Sequence, residues 1–394
     1  MMLMSLVVGL SASSMSVAQA LPSEQPTVPW AQVKSGQSRV QAIEIVNGVV
    51  FLGGFFTSVQ DVDGSVHDVD GFAAFNMSDG QFRDDLTPSF AGGGVNPPYI
   101  WDLDVRGGEV LLAGNFNNPA NAAQANLAAV DAAVGNLRWF TAAPALKSVL
   151  VAPDGTIYAG GTSLTRWSGD GRTKLFKAKT KVAIDPGVAG RHNASPGYRD
   201  LMWWAGSLWA ACGCDSAGGI NTKAFIKLDA NGNLDTSFSL VGKIGVAATG
   251  LSVATDNIHL YLGAGGSDFI ASIDAASGGS VNWKRDTSGS TQGVEFFQGA
   301  VVIGGHFVEA ADQGSDNCGF KSSNPGSLDP NSQCQTRNGL AVYSTAGALQ
   351  GWSPSLAGAY SLAWAIEPEG NALHIGGEFK TVNGVARLDY AKLA

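Results

Sequence analysis

The sequence predicts an all-β chain folded as a single β-propeller, with seven blades of three- to four-stranded antiparallel sheet. Three observations predict it: a Gly-rich strand phrase that recurs seven times, a strand–turn–strand phrase that closes most repeats, and complementary fragments of a repeat at the two ends of the chain. A unit of ~40–50 residues made only of short strands buries its apolar faces by stacking on its neighbours, which is the logic of a propeller. A β-helix needs a shorter and stricter period, so it ranks well behind.

The first phrase is an apolar strand, Gly-Gly or a near variant, then Phe or another apolar residue. In chain order it reads VVFLGGFF (49–56), VLLAGNF (110–116), TIYAGGTSL (156–164), LWAACGCD (208–215), LYLGAGGSDF (260–269), VVIGGHF (301–307) and LHIGGEF (373–379). The second phrase follows most copies, as GFAAFNMSDGQF (71–82), LAAVDAAVGNLRW (127–139), FIKLDANGNLDTSF (225–238), FIASIDAASGGSVNW (269–283) and LAVYSTAGALQGW (340–352). The third repeat carries only a shortened version, LTRWSGDGRTKLF (164–176). Apolar alternation with period two marks half-buried strands, and the turns centred on Gly supply the positive φ of a tight hairpin. Insertions such as 117–126 and 312–337 fall between strands, where surface loops absorb them.

The last repeat stops at ARLDYAKLA (386–394), without its Gly turn and aromatic-ended strand. VPWAQV (28–33) stands where LRWFTA and LQGWSP stand in other repeats, so a strand from the N-terminus is expected to complete the final blade, with Trp30 beside the C-terminal strand. Such closure removes exposed sheet edges.

Composition agrees with this reading. The 52 glycines and a charged fraction of 14% fit turn-rich β structure, and the net charge of −9 with no basic cluster argues against nucleic acid or an anionic membrane as partner. Residues 1–20 read as a signal peptide: a short apolar stretch ending in the small-x-small site Ala18-Gln19-Ala20, with no basic n-region. Residues 21–394 then form the repeat domain, and no later run is long enough for a transmembrane span. The expected location is secreted or cell-surface associated, and the expected state is monomeric.

Four cysteines suit an oxidising compartment. Cys318 and Cys334 bracket a Gly-, Ser-, Asn- and Pro-rich insertion, and a disulfide there closes a loop worth ~3 kcal/mol on the chain-entropy account. Cys212 and Cys214, separated by one glycine, are a possible second pair in a small ring. Zinc would require two further soft ligands, and none is evident.

With the repeats laid out, the chain resembles the secreted bacterial β-propeller proteins of the delta-60 repeat type. GGEFKTVNGVARLDYAKLA (376–394), GGFFTSV (53–59) and FIKLDANGNLDTSF (225–238) carry the resemblance, which covers almost all of 21–394. It implies an extracellular propeller and brings no catalytic residues with it.

Candidate chemistry is sparse. In DVDGSVHDVDG (61–71), Asp61, Asp63, Asp68 and Asp70 are the densest group of oxygen ligands and are the candidate calcium site, although the spacing departs from the EF-hand loop and a solvated turn is the competing reading. In GRHNASPGYRDLMWW (190–204), Arg191, His192, Tyr198, Arg199, Trp203 and Trp204 are the leading ligand-site group, able to stack on a sugar or hold a carboxylate. Trp203 and Trp204 packed between blades is the alternative. His306 and Glu378 occupy the same position after Gly-Gly in different repeats and are the next candidates. His259 and His374 sit within apolar strands and are expected to be packed. The nucleophile elbow, the P-loop and the His-Glu-x-x-His zinc motif are all missing.

Two functions compete. The first is a non-catalytic extracellular scaffold that binds a glycan, cell-envelope component or protein through loops on one face. The second is a secreted hydrolase or lyase with a metal-assisted site at the central channel, using His306, Glu378 and Asp102 or Asp104. A purely structural envelope or matrix component is a third. No cofactor is certain; calcium is the one considered.

Overall fold

The computed structural model describes residues 21–92, 97–117, 125–177, 181–185, 196–313, 318, 333–358 and 362–394. The expected leader, 1–20, lies outside the described residues. Among them the only helical element is one 3-10 turn, Asp84–Leu86; the remaining regular structure is antiparallel strand.

Seven sheets follow one plan. Their first strands are Arg39–Val46, Tyr99–Arg106, Leu146–Val151, Gly197–Trp204, Thr249–Thr255, Thr291–Phe297 and Leu362–Glu369; we number the sheets 1 to 7 in that order. Each first strand pairs with the strand carrying the Gly-Gly phrase, from Val49–Phe55 in sheet 1 to Ala372–Glu378 in sheet 7. A third strand follows, Phe72–Asn76 in sheet 1 and Tyr390–Leu393 in sheet 7. Sheets 2, 3 and 5 have a full fourth strand, Leu137–Ala142, Lys174–Lys177 and Ser280–Asp286. In sheets 1, 4 and 6 the fourth strand shrinks to one bridge, Phe75 to Phe82, Leu228 to Leu234 and Tyr343 to Leu349. The first strands neighbour one another in a closed cycle, with Leu362–Glu369 against Arg39–Val46. They therefore line a common axis.

The ring closes as the chain ends predict. Pro26 bridges Leu393, and the Thr27 N–H donates to the Lys392 carbonyl at 2.8 Å. The Trp30 indole reaches the Tyr390 hydroxyl, and Gln32–Val33 pairs with Ser58–Gln60 in a separate small sheet inserted between the second and third strands of sheet 1. One N-terminal segment thus ties sheet 7 to the insertion of sheet 1.

The Gly-Gly phrase now has a physical cause. A Cβ on its first glycine would enter the next sheet: Gly53 would meet Ile100 Cγ2 at 2.8 Å and Gly376 would meet Val40 Cγ1 at 2.6 Å. A Cβ on its second glycine would strike a backbone carbonyl of the first strand. Gly54 faces the Arg39 carbonyl, Gly114 that of Tyr99, Gly305 that of Ser290 and Gly377 that of Leu362, all closer than 3.0 Å. The first glycine sets the spacing between sheets. The second leaves room for a distortion in its partner strand. Between sheets 1 and 2 the core is Phe51, Phe72, Phe90, Leu103, Leu112 and Phe116, all buried.

Candidate functional site

That distortion repeats seven times. Every first strand bulges at one place, skipping one residue between Val40 and Ala42, Ile100 and Asp102, Leu146 and Ser148, Tyr198 and Asp200, Gly250 and Ser252, Thr291 and Gly293, and Ala363 and Ala365. A bulge re-aims the extra side chain. The seven extra residues are Gln41, Trp101, Lys147, Arg199, Leu251, Gln292 and Trp364, and all seven line one axial cavity of about 340 Å³. They form a ring at its mouth.

The ring is polar, aromatic and cationic. Trp101 stacks on Tyr99, with ring centres 4.1 Å apart, and the Lys147 ammonium lies 5.3 Å from the Trp101 ring centre. Burial, then repulsion from Arg199, pulls the Lys147 amine down to about 8. Gln41 Nε2, Gln292 Oε1 and Trp364 Nε1 are buried without a hydrogen-bond partner. Buried polar atoms are normally paired, so three open ones in one ring are notable.

Deeper along the axis the lining turns acidic. One residue past the bulge, Asp102 accepts the backbone N–H groups of Leu103 at 2.9 Å and Val149 at 2.8 Å, and Asp200 accepts Ser252 Oγ at 3.0 Å and the Val253 N–H at 2.8 Å. Each ties its strand to the next sheet. Two residues further, Glu44, Asp104, Glu295 and Glu367 occupy equivalent positions in sheets 1, 2, 6 and 7. Leu150 fills that position in sheet 3. Asp104 is also a tie, accepting Val105 and Val151 N–H at 2.6 and 2.5 Å. Burial pushes Asp104 and Asp200 up to about 6. Burial and then the Glu295 charge push Glu367 to about 8, and burial raises Glu295 to about 7. Glu44 and Asp102 are raised well above the usual carboxylate range, by burial first and then by neighbouring carboxylates. Like charges around a narrow axis hold protons that isolated carboxyls would lose.

The chain is a β-propeller. Solved structures that it resembles over most of their length include streptogramin B lyase (TM-score 0.53, 11% identity, 93% of this chain and 97% of that one). The WD40 β-propeller domain of Doa1 aligns at TM-score 0.51 and 11% identity, covering 92% of this chain and 94% of that domain. The computationally designed Ika8 protein aligns at TM-score 0.51 and 12% identity, covering 92% and 98%. At such identities the likeness is one of fold. No protein-family profile and no curated protein sequence matches the chain.

The propeller scatters the group 190–204 that the sequence joined. Arg191 and His192 lie outside the described residues. The rest stand on the first strand of sheet 4, not on a long loop, and only Arg199 of them lines the channel. Tyr198 is fully buried in a core cluster. Trp203 packs near Tyr158, ring centres 5.9 Å apart, and Trp204 near Trp209 at the same separation. The packing alternative holds for both tryptophans.

His306 and Glu378 do not join Asp102 and Asp104. Neither lines the axial cavity: His306 is exposed, and Glu378 lies 3.7 Å from the Arg39 guanidinium. The set of the metal-assisted reading, His306 and Glu378 with Asp102 or Asp104, is therefore not assembled. His374 is packed as expected, its Nδ1 2.7 Å from the Tyr390 hydroxyl; His259 is half-buried beside Asp256.

The candidate calcium group, Asp61, Asp63, Asp68 and Asp70, lies in and beside one turn. Asp61 to Asp70 form a β-hairpin, Ser58–Gln60 with Val66–Asp68. Asp61 Oδ1 and Asp63 Oδ1 both accept the Ser65 N–H, and Asp61 Oδ2 pairs with His67 Nε2 at 3.1 Å. Asp68 is exposed and pairs across the hairpin with Ser58. The carboxylates serve the turn. No group of three or more His, Cys, Asp or Glu among the described residues is placed to hold a metal ion.

Both cysteine pairs are bonded. Cys318 and Cys334 have Cα atoms 5.6 Å apart, and Cys212 and Cys214 5.3 Å apart. No helix among the described residues is long and apolar enough to cross a membrane.

Of the channel carboxyls, the sequence names Asp102 and Asp104; Glu44, Asp200, Glu295 and Glu367 were missed, although a signal existed for the three glutamates. Aligning the strand before each Gly-Gly phrase gives QAIE (41–44), WDLD (101–104), QGVE (292–295) and WAIE (364–367). These phrases place a ring residue first and an axial carboxyl last.

Proposed function

We propose that this protein is an extracellular, non-catalytic propeller of the delta-60 repeat type that binds a small ligand at the mouth of its axial channel. The ligand belongs to a glycan, a cell-envelope component or a protein terminus, and surface loops around the mouth add partner contacts. The leader-like 1–20 and two disulfides support an oxidising, exported setting. Acidic charge and the carboxyl-lined axis oppose nucleic acid.

One observation carries the binding role: the bulge ring presents Gln41 Nε2, Gln292 Oε1 and Trp364 Nε1 without partners in a single cavity. Each unmade buried hydrogen bond costs ~1–3 kcal/mol, which a ligand with matching groups recovers. Trp101, backed by Tyr99, adds a flat face for stacking.

The test is a thermal-shift screen of small saccharides, peptides and amino acids against the intact protein and a Trp101→Ala/Trp364→Ala variant. At least one class is expected to raise the Tm of the native chain and not of the variant, and to be recovered unchanged by mass spectrometry. Chemical turnover of the ligand would sink the non-catalytic reading. Ligand shifts that survive in the variant would move the site off the axis.

A further inference from the structure

We infer that the axial site takes a linear zwitterion of about dipeptide length. Its carboxylate meets Lys147 and Arg199 at the mouth, its ammonium points to the carboxyl arc of Glu295, Glu367, Glu44 and Asp104, and its peptide group sits between Gln41 and Gln292. This rests on the axial-site reading above and adds the class of ligand.

The cavity is polarised in depth and around its axis. Lys147 and Arg199 come from adjacent sheets 3 and 4 at the bulge level. The arc of four carboxyls comes from sheets 6, 7, 1 and 2, three residues deeper. A strand rises ~3.3 Å per residue, and a bulge shortens the path, so the two levels are roughly 7–10 Å apart. Two extended residues span about that distance. The remaining wall, with Leu150 and Leu251, is apolar and accommodates small side chains.

Charge excludes the simpler ligands. A pure anion that reaches the mouth meets Asp102 and Asp200 immediately below it, and a pure cation must first pass Lys147 and Arg199. A neutral ligand leaves both levels unbalanced. Among the described residues the Lys147 ammonium lies beside the Trp101 ring and is repelled by Arg199, and Glu44 is raised by the neighbouring carboxyls of the arc. A carboxylate at the upper level offsets the Lys147–Arg199 repulsion, and an ammonium at the lower level takes the place of a proton that the crowded carboxyls otherwise hold.

The partnerless atoms stand at the same level as Lys147 and Arg199, across the axis from them, and serve the peptide group next to the ligand's carboxylate. A peptide unit offers one acceptor and one donor. Gln41 Nε2 donates and Gln292 Oε1 accepts, and the sheets that carry them flank Trp364, whose Nε1 is a second open donor. A donor and an acceptor on one ring match a carbonyl and an N–H of one amide.

Isothermal titration of the intact protein at neutral pH tests this with four probes: the dipeptide Ala-Ala, its N-acetyl form, its C-terminal amide and neutral diacetylchitobiose. Ala-Ala is expected to bind, and blocking either end to weaken binding about tenfold or more. Lys147→Met is expected to abolish discrimination against the amide alone, and Glu367→Gln to reduce discrimination against the N-acetyl form alone. A purely structural role would weaken all probes together. Equal binding of blocked and free dipeptide, or no binding of Ala-Ala at millimolar concentration, overturns the zwitterion. Binding of diacetylchitobiose alone, lost in Trp101→Ala/Trp364→Ala, overturns it while leaving the axial site in place.

Discussion

The Trp30 indole N–H donates to the Tyr390 hydroxyl at 3.3 Å, joining residues 360 positions apart in the chain. The same hydroxyl lies 2.7 Å from His374 Nδ1, and the Lys392 ammonium sits 4.6 Å from the centre of the Trp30 ring. Trp30, His374 and Tyr390 are all buried. The first described residues and the last strand therefore share one core, and the ring is held shut by packing as well as by backbone pairing.

Trp30→Ala removes that packing from a site with no exposed alternative. Large aromatic-to-Ala truncations in a core cost ~3–5 kcal/mol. The variant is expected to unfold at correspondingly lower urea, with Trp30→Phe in between. A loss below ~1 kcal/mol would mean that the closure is not a stability determinant.

The acidic arc predicts the direction of the pH dependence. Glu367 and Glu295 hold their protons to about 8 and 7 in the folded chain, above the ordinary carboxyl value of ~4.3. The folded state then binds more protons than the unfolded one, and this contribution is complete at low pH and lost as pH rises through the folded values. His374 acts in the opposite sense: burial lowers it to about 3, so its contribution is lost as pH falls below ~6.5. Between pH 6.5 and 8 the carboxyls dominate and Tm is expected to fall, while the Lys147 amine, lowered to about 8, acts in the opposite sense from the top of that window upward. Glu367→Gln is expected to flatten the slope; an unchanged slope would show that the arc is not protonated.

Asp200 is expected to matter as a tie and not as a reactive group. Its carboxylate accepts Ser252 Oγ and the Val253 N–H from the next sheet. Asp200→Ala leaves that N–H without its acceptor, at a cost of ~1–3 kcal/mol by chemical denaturation. An unchanged midpoint would remove the tie.

Chelation is expected to change nothing. The Asp61–Asp63 turn is completed by Ser65 and His67, so EDTA is expected to leave the melting curve unmoved. A calcium-dependent Tm that Asp61→Ala abolishes would restore a metal to this hairpin.

Gly377→Ala tests the origin of the repeat phrase. Its Cβ would collide with the Leu362 carbonyl, which is backbone and cannot rotate away. Overpacking of this kind costs ~1–3 kcal/mol. Gly299, on a turn with open space around it, makes a contrast of position: its strain comes from φ +81 alone.

The repeat phrases made the sheets and their closure legible, because strand periodicity and Gly-dependent turns are local. Trp30 could be placed from a missing fragment for the same reason. The group in 190–204 comes apart because adjacent residues of a strand point to opposite faces, so Tyr198, Arg199 and Trp203 part company on folding and only Arg199 of them reaches the axis. The sequence places Asp102 and Asp104 at the channel, but Glu44, Glu295 and Glu367 escaped because their meeting is set by the closed cycle: Glu44 and Glu367 are neighbours only once sheet 7 returns to sheet 1. The bulges escaped too, since a skipped residue leaves no signature in polarity, although the glycine opposite six of the seven does; in sheet 4 Cys212 and Ala211 stand there.

Each repeat gives the mouth one side chain, and it does so with main-chain geometry that is completed inside its own strand pair. The rim is thus a word of seven letters, spelled Gln-Trp-Lys-Arg-Leu-Gln-Trp in this chain. Replacing one letter leaves the spelling device intact, so recognition can be rewritten position by position without redesigning the skeleton that displays it.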